Sequence, residues 1–402
     1  MTGMAKTTYD AIFILDQIPH SNVGGAPSYN ATLLRAAEAL GWKVLIVVTG
    51  RRLPAAIFSP GEIGNHATLA FSHAKSLGGN RFIASTPAAM LRALKRTVEK
   101  YRPSRPSAGK RVIIERYPDQ SEIDQVRRIL AGVEAPLIFV DTIFRDPYID
   151  PASLPARPIL IGHDIFHQRV ASFEANGFTV TPRIDLAEER ARVSRYGTVL
   201  AISDADAATY REMAPKASVH AVYPIVPKTS RQATIKAGSG RILYLGSAAH
   251  HNVDGLTWFL QEIWPRILER HPETKLDIVG SIGASLSAAP NTTIHGRVDD
   301  ISAIAGQCAF AINPVRMGSG LKIKMVDYFN LGLGCITTSV GAHGFPMDDR
   351  PFVTADDAGD FAGTAIEWLS KSAICEEMSK RTQSYMRHFS LDAVVETLRL
   401  CR

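Results

Sequence analysis

The run Pro314-Val315-Arg316-Met317-Gly318-Ser319-Gly320-Leu321-Lys322-Ile323-Lys324-Met325-Val326-Asp327 carries the residue types best suited to chemistry. The glycines flanking Ser319 let main-chain N–H groups approach a ligand closely. A helical pattern opens at Leu321. A helix N-terminus presents unpaired N–H groups and a partial positive charge. Arg316 and Lys322 add full charges, and the whole suits a diphosphate. Asp327 is expected about two turns into the helix, too far for a phosphate role. A carboxylate there can accept two hydrogen bonds from a vicinal diol such as a ribose. The structural alternative is a plain glycine turn, with Lys324 and Asp327 forming a weak i, i+3 surface pair.

Such a loop must be placed by the elements around it. Short apolar runs alternate with helical patterns along the chain. The first runs are Ala11-Ile12-Phe13-Ile14-Leu15 and Val44-Leu45-Ile46-Val47-Val48, with a helix predicted over residues 28–40 between them. Strand, helix, strand in that order predicts a parallel sheet. Further runs stand at Val112-Ile113-Ile114, Leu137-Ile138-Phe139-Val140, Ile159-Leu160-Ile161 and Val199-Leu200-Ala201-Ile202. A second series begins at Arg241-Ile242-Leu243-Tyr244-Leu245-Gly246. It continues with a helix from about Val253, which Pro265 should kink or restart. Then come Leu276-Asp277-Ile278-Val279-Gly280, Thr293-Ile294, Ala309-Phe310-Ala311-Ile312, a helix over 321–331 and Cys335-Ile336-Thr337-Thr338. The expected fold is α/β, two Rossmann-like parallel-sheet domains facing across a cleft. The boundaries are 1–224 for the first domain, 225–238 for a linker and 239–384 for the second. A C-terminal helix within 385–402 is expected to pack back on the first domain.

In the first domain, His163-Asp164 follows a predicted parallel strand, at the edge where open α/β sheets bind ligands. An imidazole there could hydrogen-bond a transferred group or relay a proton. The structural alternative makes Asp164 a helix cap and His163 a satisfied core residue. Asp141 ends another strand and fits a turn or cap. Gly24-Gly25 precedes the first helix and would let a ligand phosphate approach the backbone. His250-His251 is read as no metal site, because neighbouring side chains rarely both point inward and no third ligand is near.

The chain has 402 residues, 46% hydrophobic and 21% charged, with a net charge of +6. This is the profile of a globular protein and does not single out nucleic acid as a partner. Its cysteines, Cys308, Cys335, Cys375 and Cys401, form no Cys-x-x-Cys pair and read as reduced thiols of a cytoplasmic protein. No apolar run reaches membrane-spanning length. From Arg92 to Arg111 the basic residues are Arg92, Lys95, Arg96, Lys100, Arg102, Arg105, Lys110 and Arg111, against Glu99 alone. Leu91, Leu94, Val98 and Tyr101 fall at helical spacing beside them. The segment is either an ordinary helix with a solvated basic face or a contact for an anionic membrane surface.

From Leu243 to Phe345 the sequence resembles the C-terminal domain of the group 1 glycosyltransferases of GT-B fold. The resemblance runs through Leu245-Gly246-Ser247, Asn252-Val253-Asp254-Gly255-Leu256, Trp258-Phe259, Trp264-Pro265 and His271-Pro272. It continues through Ile278-Val279-Gly280, Gly296-Arg297-Val298-Asp299-Asp300, Pro314, Gly318-Ser319-Gly320 and Lys322-Ile323-Lys324. It ends with Asp327, Gly332-Leu333 and Thr338-Ser339-Val340-Gly341-Ala342. Weaker matches in the first half are Gly24-Gly25-Ala26 and the stretch from Glu188-Glu189-Arg190 to Ser203-Asp204.

The resemblance implies a nucleotide-sugar donor. Asp327 stands where the family usually has the glutamate that holds the ribose. Ser319 stands where many members have the first glutamate of a Glu–seven residues–Glu motif. Ser319, Gly320 and Leu321 would give N–H groups to the diphosphate, with Gly246, Gly318 and Gly25 lining the donor. Arg297 and Val298 would meet the base through main-chain groups. Many members carry an Arg and a Lys after the glycine equivalent to Gly246. Here the loop reads Ser247-Ala248-Ala249-His250-His251, so Arg316 and Lys322 are expected to neutralise the leaving group. His163 and Asp164 are placed on the acceptor side. The expected reaction is a retaining, metal-independent sugar transfer, without cofactor, to a glycan or lipid-linked acceptor in surface polysaccharide assembly. Two alternatives compete: a nucleotide-sugar epimerase on the same fold, and a silent nucleotide- or sugar-binding protein. A dinucleotide oxidoreductase is disfavoured, since no Gly-x-Gly-x-x-Gly turn follows the first strand.

Overall fold

A computed structural model describes residues 6–20, 25–61, 63–64, 66–99, 110–149, 156–226, 235–286 and 289–402. Two parallel sheets dominate it. The first contains β1 (Ala11–Leu15), β2 (Val44–Val48), β3 (Ala67–Phe71), β4 (Leu137–Asp141), β5 (Arg157–Gly162), β6 (Thr198–Ala201) and β7 (Ser218–Ala221). Their spatial order is β7-β6-β5-β4-β1-β2-β3. The second contains β8 (Arg241–Leu245), β9 (Lys275–Val279), β10 (Thr292–Gly296), β11 (Phe310–Asn313), β12 (Cys335–Thr337) and β13 (Phe352–Thr354), in the order β10-β9-β8-β11-β12-β13. Both are doubly wound sheets in which chain direction across the sheet reverses beside the first strand. That reversal opens a crevice at the strands' C-terminal ends, between β1 and β4 and between β8 and β11.

The central strands are buried along their whole length, as expected when helices cover both faces. Phe13 and Phe139 stack across β1 and β4 with centroids 4.4 Å apart. The helices that matter for the site are α1 (Ala26–Ala39), α2 (Pro87–Glu99), α3 (Phe166–Ala175), α4 (Asp204–Met213), α5 (His250–Trp258), α6 (Ile323–Asn330) and α7 (Leu391–Leu400). The terminal helix α7 packs on α1 of the first domain. Arg402 there pairs with Asp10 at 3.2 Å and lies over the Trp42 ring.

Several elements differ from the sequence reading. Among the described residues Arg111–Ile113 pairs only with Thr179–Thr181, outside the main sheet. The strands β3, β7 and β13 stand apart from the apolar runs of the sequence, because each is short or mixes polar with apolar residues. A small antiparallel sheet of Ile57–Phe58, Ala74–Gly78 and Arg81–Ala84 also joins the first domain. The helix expected from Val253 begins at His250, passes through a π turn at Phe259–Ile263, and restarts at Trp264 with Pro265 in its first turn. The helix expected from Leu321 begins at Ile323, so Asp327 sits just over one turn inside it. Gly24, residues 227–234 of the linker and residues 100–109 of the basic segment lie outside the described residues.

Candidate active site between the two sheets

The loop from Pro314 to Lys322 leaves β11 at the second sheet's crevice. Gly318 has φ 117° and Gly320 φ 65°, both in the region that favours glycine. The N–H groups of Ser319, Gly320 and Leu321 have no protein partner among the described residues. Lys322 is buried and folds back on its own loop, donating to the carbonyls of Ser319 at 2.9 Å and Gly320 at 2.7 Å. Burial lowers its pKa to about 8, against the pull of Asp164. Lys324 lies 4.8 Å from the centre of the Tyr244 ring and donates to Asn252 Oδ1 at 2.6 Å. Burial brings its pKa down to about 7. Asn252 in turn donates to Ser247 at 3.2 Å, so Lys324 reaches the loop that follows Gly246. Gly246 is required there: a Cβ would come within 2.6 Å of Tyr244. One turn deeper, Asp327 is partly buried and has no ion pair among the described residues. Burial raises its pKa to about 7.

The first domain meets this loop directly. Met317 is buried among first-domain apolar side chains. Gly318 N–H donates to Ser172 Oγ on α3 at 2.9 Å. Ser319 Oγ donates to Asp164, which also accepts from Arg169. A Cβ on Gly320 would lie 2.6 Å from the His163 carbonyl oxygen. Farther along, His343 meets Asp206 at 3.1 Å. The rings of His250 and His251 pack edge-on against Phe178 and Phe173. His251 is held neutral, first by burial and then by the charges of Arg169, Lys324, Lys322 and His250. Cations from both domains therefore converge on one place in the cleft. Arg169 Nε is buried there without a partner among the described residues.

At the first sheet's crevice, His163 Nε2 lies 2.9 Å from Asp141 Oδ1. Burial alone would lower the His163 pKa, but the Asp141 hydrogen bond and charge, with Asp164 and Glu115, outweigh it and raise it. Asp141 shows the converse: burial opposes its charge, yet His163 and Arg145 keep its pKa low. Arg145 pairs with Asp16 at 2.5 Å and Glu115 at 3.0 Å. Gly25, with φ 60°, starts α1 at the same crevice.

A family model described as Glycosyl transferases group 1 matches residues 239–371. The second domain is a group 1 glycosyl transferase domain. An uncharacterized 44.6 kDa protein in the cps region of Klebsiella pneumoniae is 26% identical over 161 residues, 36% of this chain and 41% of that relative. The match thus spans less than half of the relative's length. Sucrose-phosphate synthase from Thermosynechococcus elongatus aligns over 98% of each chain, with TM-score 0.66 and 15% identity. A mutant of S. aureus TarM, solved with fondaparinux, alpha-GlcNAc-glycerol and UDP, aligns over 96% of this chain and 98% of its own, with TM-score 0.64 and 9% identity. Anabaena HepE, solved with UDP and glucose, aligns over 97% and 98%, with TM-score 0.60 and 10% identity. At these identities the likeness to solved structures is one of fold, and the fold is GT-B.

Within the glycosyl transferase framework several expected roles change. Arg316 is not a free cation at the loop. It makes a bidentate pair with Asp254 at 2.9–3.1 Å and lies over the Trp258 ring, which ties α5 to the loop. Gly318 offers no N–H to a ligand, because Ser172 takes it. Asp164 does not cap α3. The carboxylate of Glu189 does, accepting from Phe166 and His167 N–H at 2.9 and 2.8 Å. Lys324 does not pair with Asp327 but serves the Gly246 loop. His250 and His251 both face the first domain, contrary to the expectation for neighbours. Arg297 and Val298 are exposed after the edge strand β10. Gly296 there is joined to Gly280 by a 2.7 Å main-chain bond. Sequence reasoning missed Arg169 altogether, since only packing of α3 against the second domain brings it near. Lys324 had a signal: it repeats Lys322 two residues on, at the mouth of the helix.

Proposed function

We propose that this glycosyl transferase moves a sugar from a nucleoside-diphosphate sugar to a hydroxyl of a glycan or lipid-linked acceptor, with retention and without a metal. The observation that carries the reading is the gathering of Arg169, Lys322 and Lys324 around His251, beside a loop whose Ser319, Gly320 and Leu321 N–H groups have no protein partner among the described residues. Like charges gathered in a closed cleft favour an anion between them, and a leaving diphosphate develops charge there as the bond from the sugar's anomeric carbon breaks. Asp327 sits one turn deeper as an unpaired acceptor for the ribose diol. The acceptor oxygen bonds the anomeric carbon, and its proton passes to the departing diphosphate. His163 then acts as a hydrogen-bond donor that positions sugar or acceptor, because its raised pKa favours the imidazolium. The cps-region relative supports a place in surface polysaccharide assembly.

Calorimetric titration with a panel of nucleoside diphosphates tests the donor site. One member should bind, and Asp327→Ala should weaken it roughly thirtyfold, about 2 kcal/mol for hydrogen bonds to a charged group. Unchanged affinity in that variant rejects the ribose role. A second reading rests on the His163–Asp141 pair, which has the geometry of an oriented base. It predicts inversion, so the anomeric configuration of the product separates the two.

A further inference from the structure

The crevice between β1 and β4 holds a small pocket of about 270 Å³, including its open mouth. Its polar wall is Asp16, Gln17, Asn30, Glu115, Asp141 and His163. Three of the six are carboxylates. Of the cations beside them, Arg145 is only 3% exposed and is held by Asp16 and Glu115. Its Nη1 faces Glu115 at ion-pair distance but makes no hydrogen bond among the described residues, and Arg145 does not line the pocket. His163 lines the pocket with one ring nitrogen engaged by Asp141, and the three carboxylates outnumber the two cations, Arg145 and His163. The second observation is Asn30 on α1. It is 1% exposed and borders the pocket, yet its Oδ1 has no hydrogen-bond partner among the described residues. A buried amide oxygen left unpaired costs free energy that a donor from a ligand would recover.

We propose that this pocket takes the terminal group of the acceptor and selects for one rich in hydrogen-bond donors and free of negative charge: a neutral or amino sugar residue, not a uronate or a phosphorylated sugar. The inference rests on the reading of the first domain as the acceptor side. Carboxylates accept up to about four hydrogen bonds each and donate none when ionised. Vicinal hydroxyls or an ammonium satisfy them, and a carboxylate or phosphate faces like charge in a confined space. A lipid diphosphate on the same acceptor would have to lie outside the pocket.

The test uses the full chain and three matched probes: methyl glucoside, methyl glucosaminide and methyl glucuronide. Their binding is measured by ligand-observed NMR on wild type, Asp16→Asn and Glu115→Gln. The glucoside and the glucosaminide should bind, with the glucuronide at least about tenfold weaker. At least one of the two variants should narrow that gap. A glucuronide that binds as well as the glucoside overturns the inference, as does a gap unchanged in both variants or no binding by any probe. A nucleotide titration run in parallel reports the donor site separately. Discrimination among the sugars without nucleotide binding would leave the pocket standing and reject the transferase reading; the reverse result would reject the pocket alone.

Discussion

If the loop holds a nucleotide as proposed, the titrations of Asp327 and the two lysines pull its binding in opposite directions. Only an ionised Asp327 accepts from both hydroxyls of a diol through both oxygens without a competing O–H, and burial has raised its pKa to about 7. A bare nucleoside should therefore bind more tightly as pH rises from 6 to 8. Lys324 and Lys322 lose their protons around pH 7 and 8. The advantage of the diphosphate over the nucleoside should therefore shrink between pH 7 and 9. Titrating both ligands across that range checks the assignment, and parallel pH profiles for the two would contradict it. In Asp327→Asn the nucleoside profile should become flat.

At the scale of elements, the β11–α6 loop does two jobs through two glycines with different surroundings. Gly320 has left-handed φ and sits against the His163 carbonyl, whereas a Cβ at Gly318 would meet nothing within 4 Å. Gly318→Ala should strain the loop by roughly 1–3 kcal/mol and lower the melting temperature. Gly320→Ala adds a clash with the first domain. It should separate the domains as well, seen as a larger radius of gyration in solution scattering. Equal scattering from the two variants would mean that the loop absorbs the clash. Gly255 on α5 has a similar duty, since a Cβ there would fall 2.3 Å from the Pro314 carbonyl oxygen. The helix and the loop it holds must be read as one unit.

Across the whole molecule the two switch points carry opposite charge. The second sheet's crevice collects cations, and the first sheet's collects carboxylates. On the proposed function, this polarity would give each substrate one side of the cleft and disfavour exchange between them. A surface on the first domain adds a third feature. Leu91 and Leu94 of α2 are 69% and 52% exposed beside Arg92, while Ala89 and Ala93 face the core. The sequence reading places the leucines on an apolar stripe, and the helix turns them outward. We propose that this face rests on anionic lipid. No helix among the described residues is long and apolar enough to cross a membrane. Co-sedimentation with anionic vesicles at low salt should carry the protein down. Leu91→Ser with Leu94→Ser should leave it in solution, and equal behaviour of the two proteins would reject the surface.

Much of this is legible in the sequence. Apolar runs of strand length alternating with helical stripes imply parallel sheets, because each run is a local property of covered strands. The glycines around Ser319 imply a loop that brings backbone to a ligand, and Asp327 carries its carboxylate at a fixed helical distance from that loop. These inferences involve neighbours along the chain. The partnering of charges does not. Ser319 meets Asp164 from 155 residues away, and Arg316 meets Asp254 from 62. Arg316 and Lys324 look equally free as letters, and packing gives one to Asp254 and the other to the Gly246 loop. Long side chains on a loop can reach several partners, so their targets depend on which helix is laid beside them. The closed approach of the two sheets makes that choice here, placing cations at one crevice and carboxylates at the other.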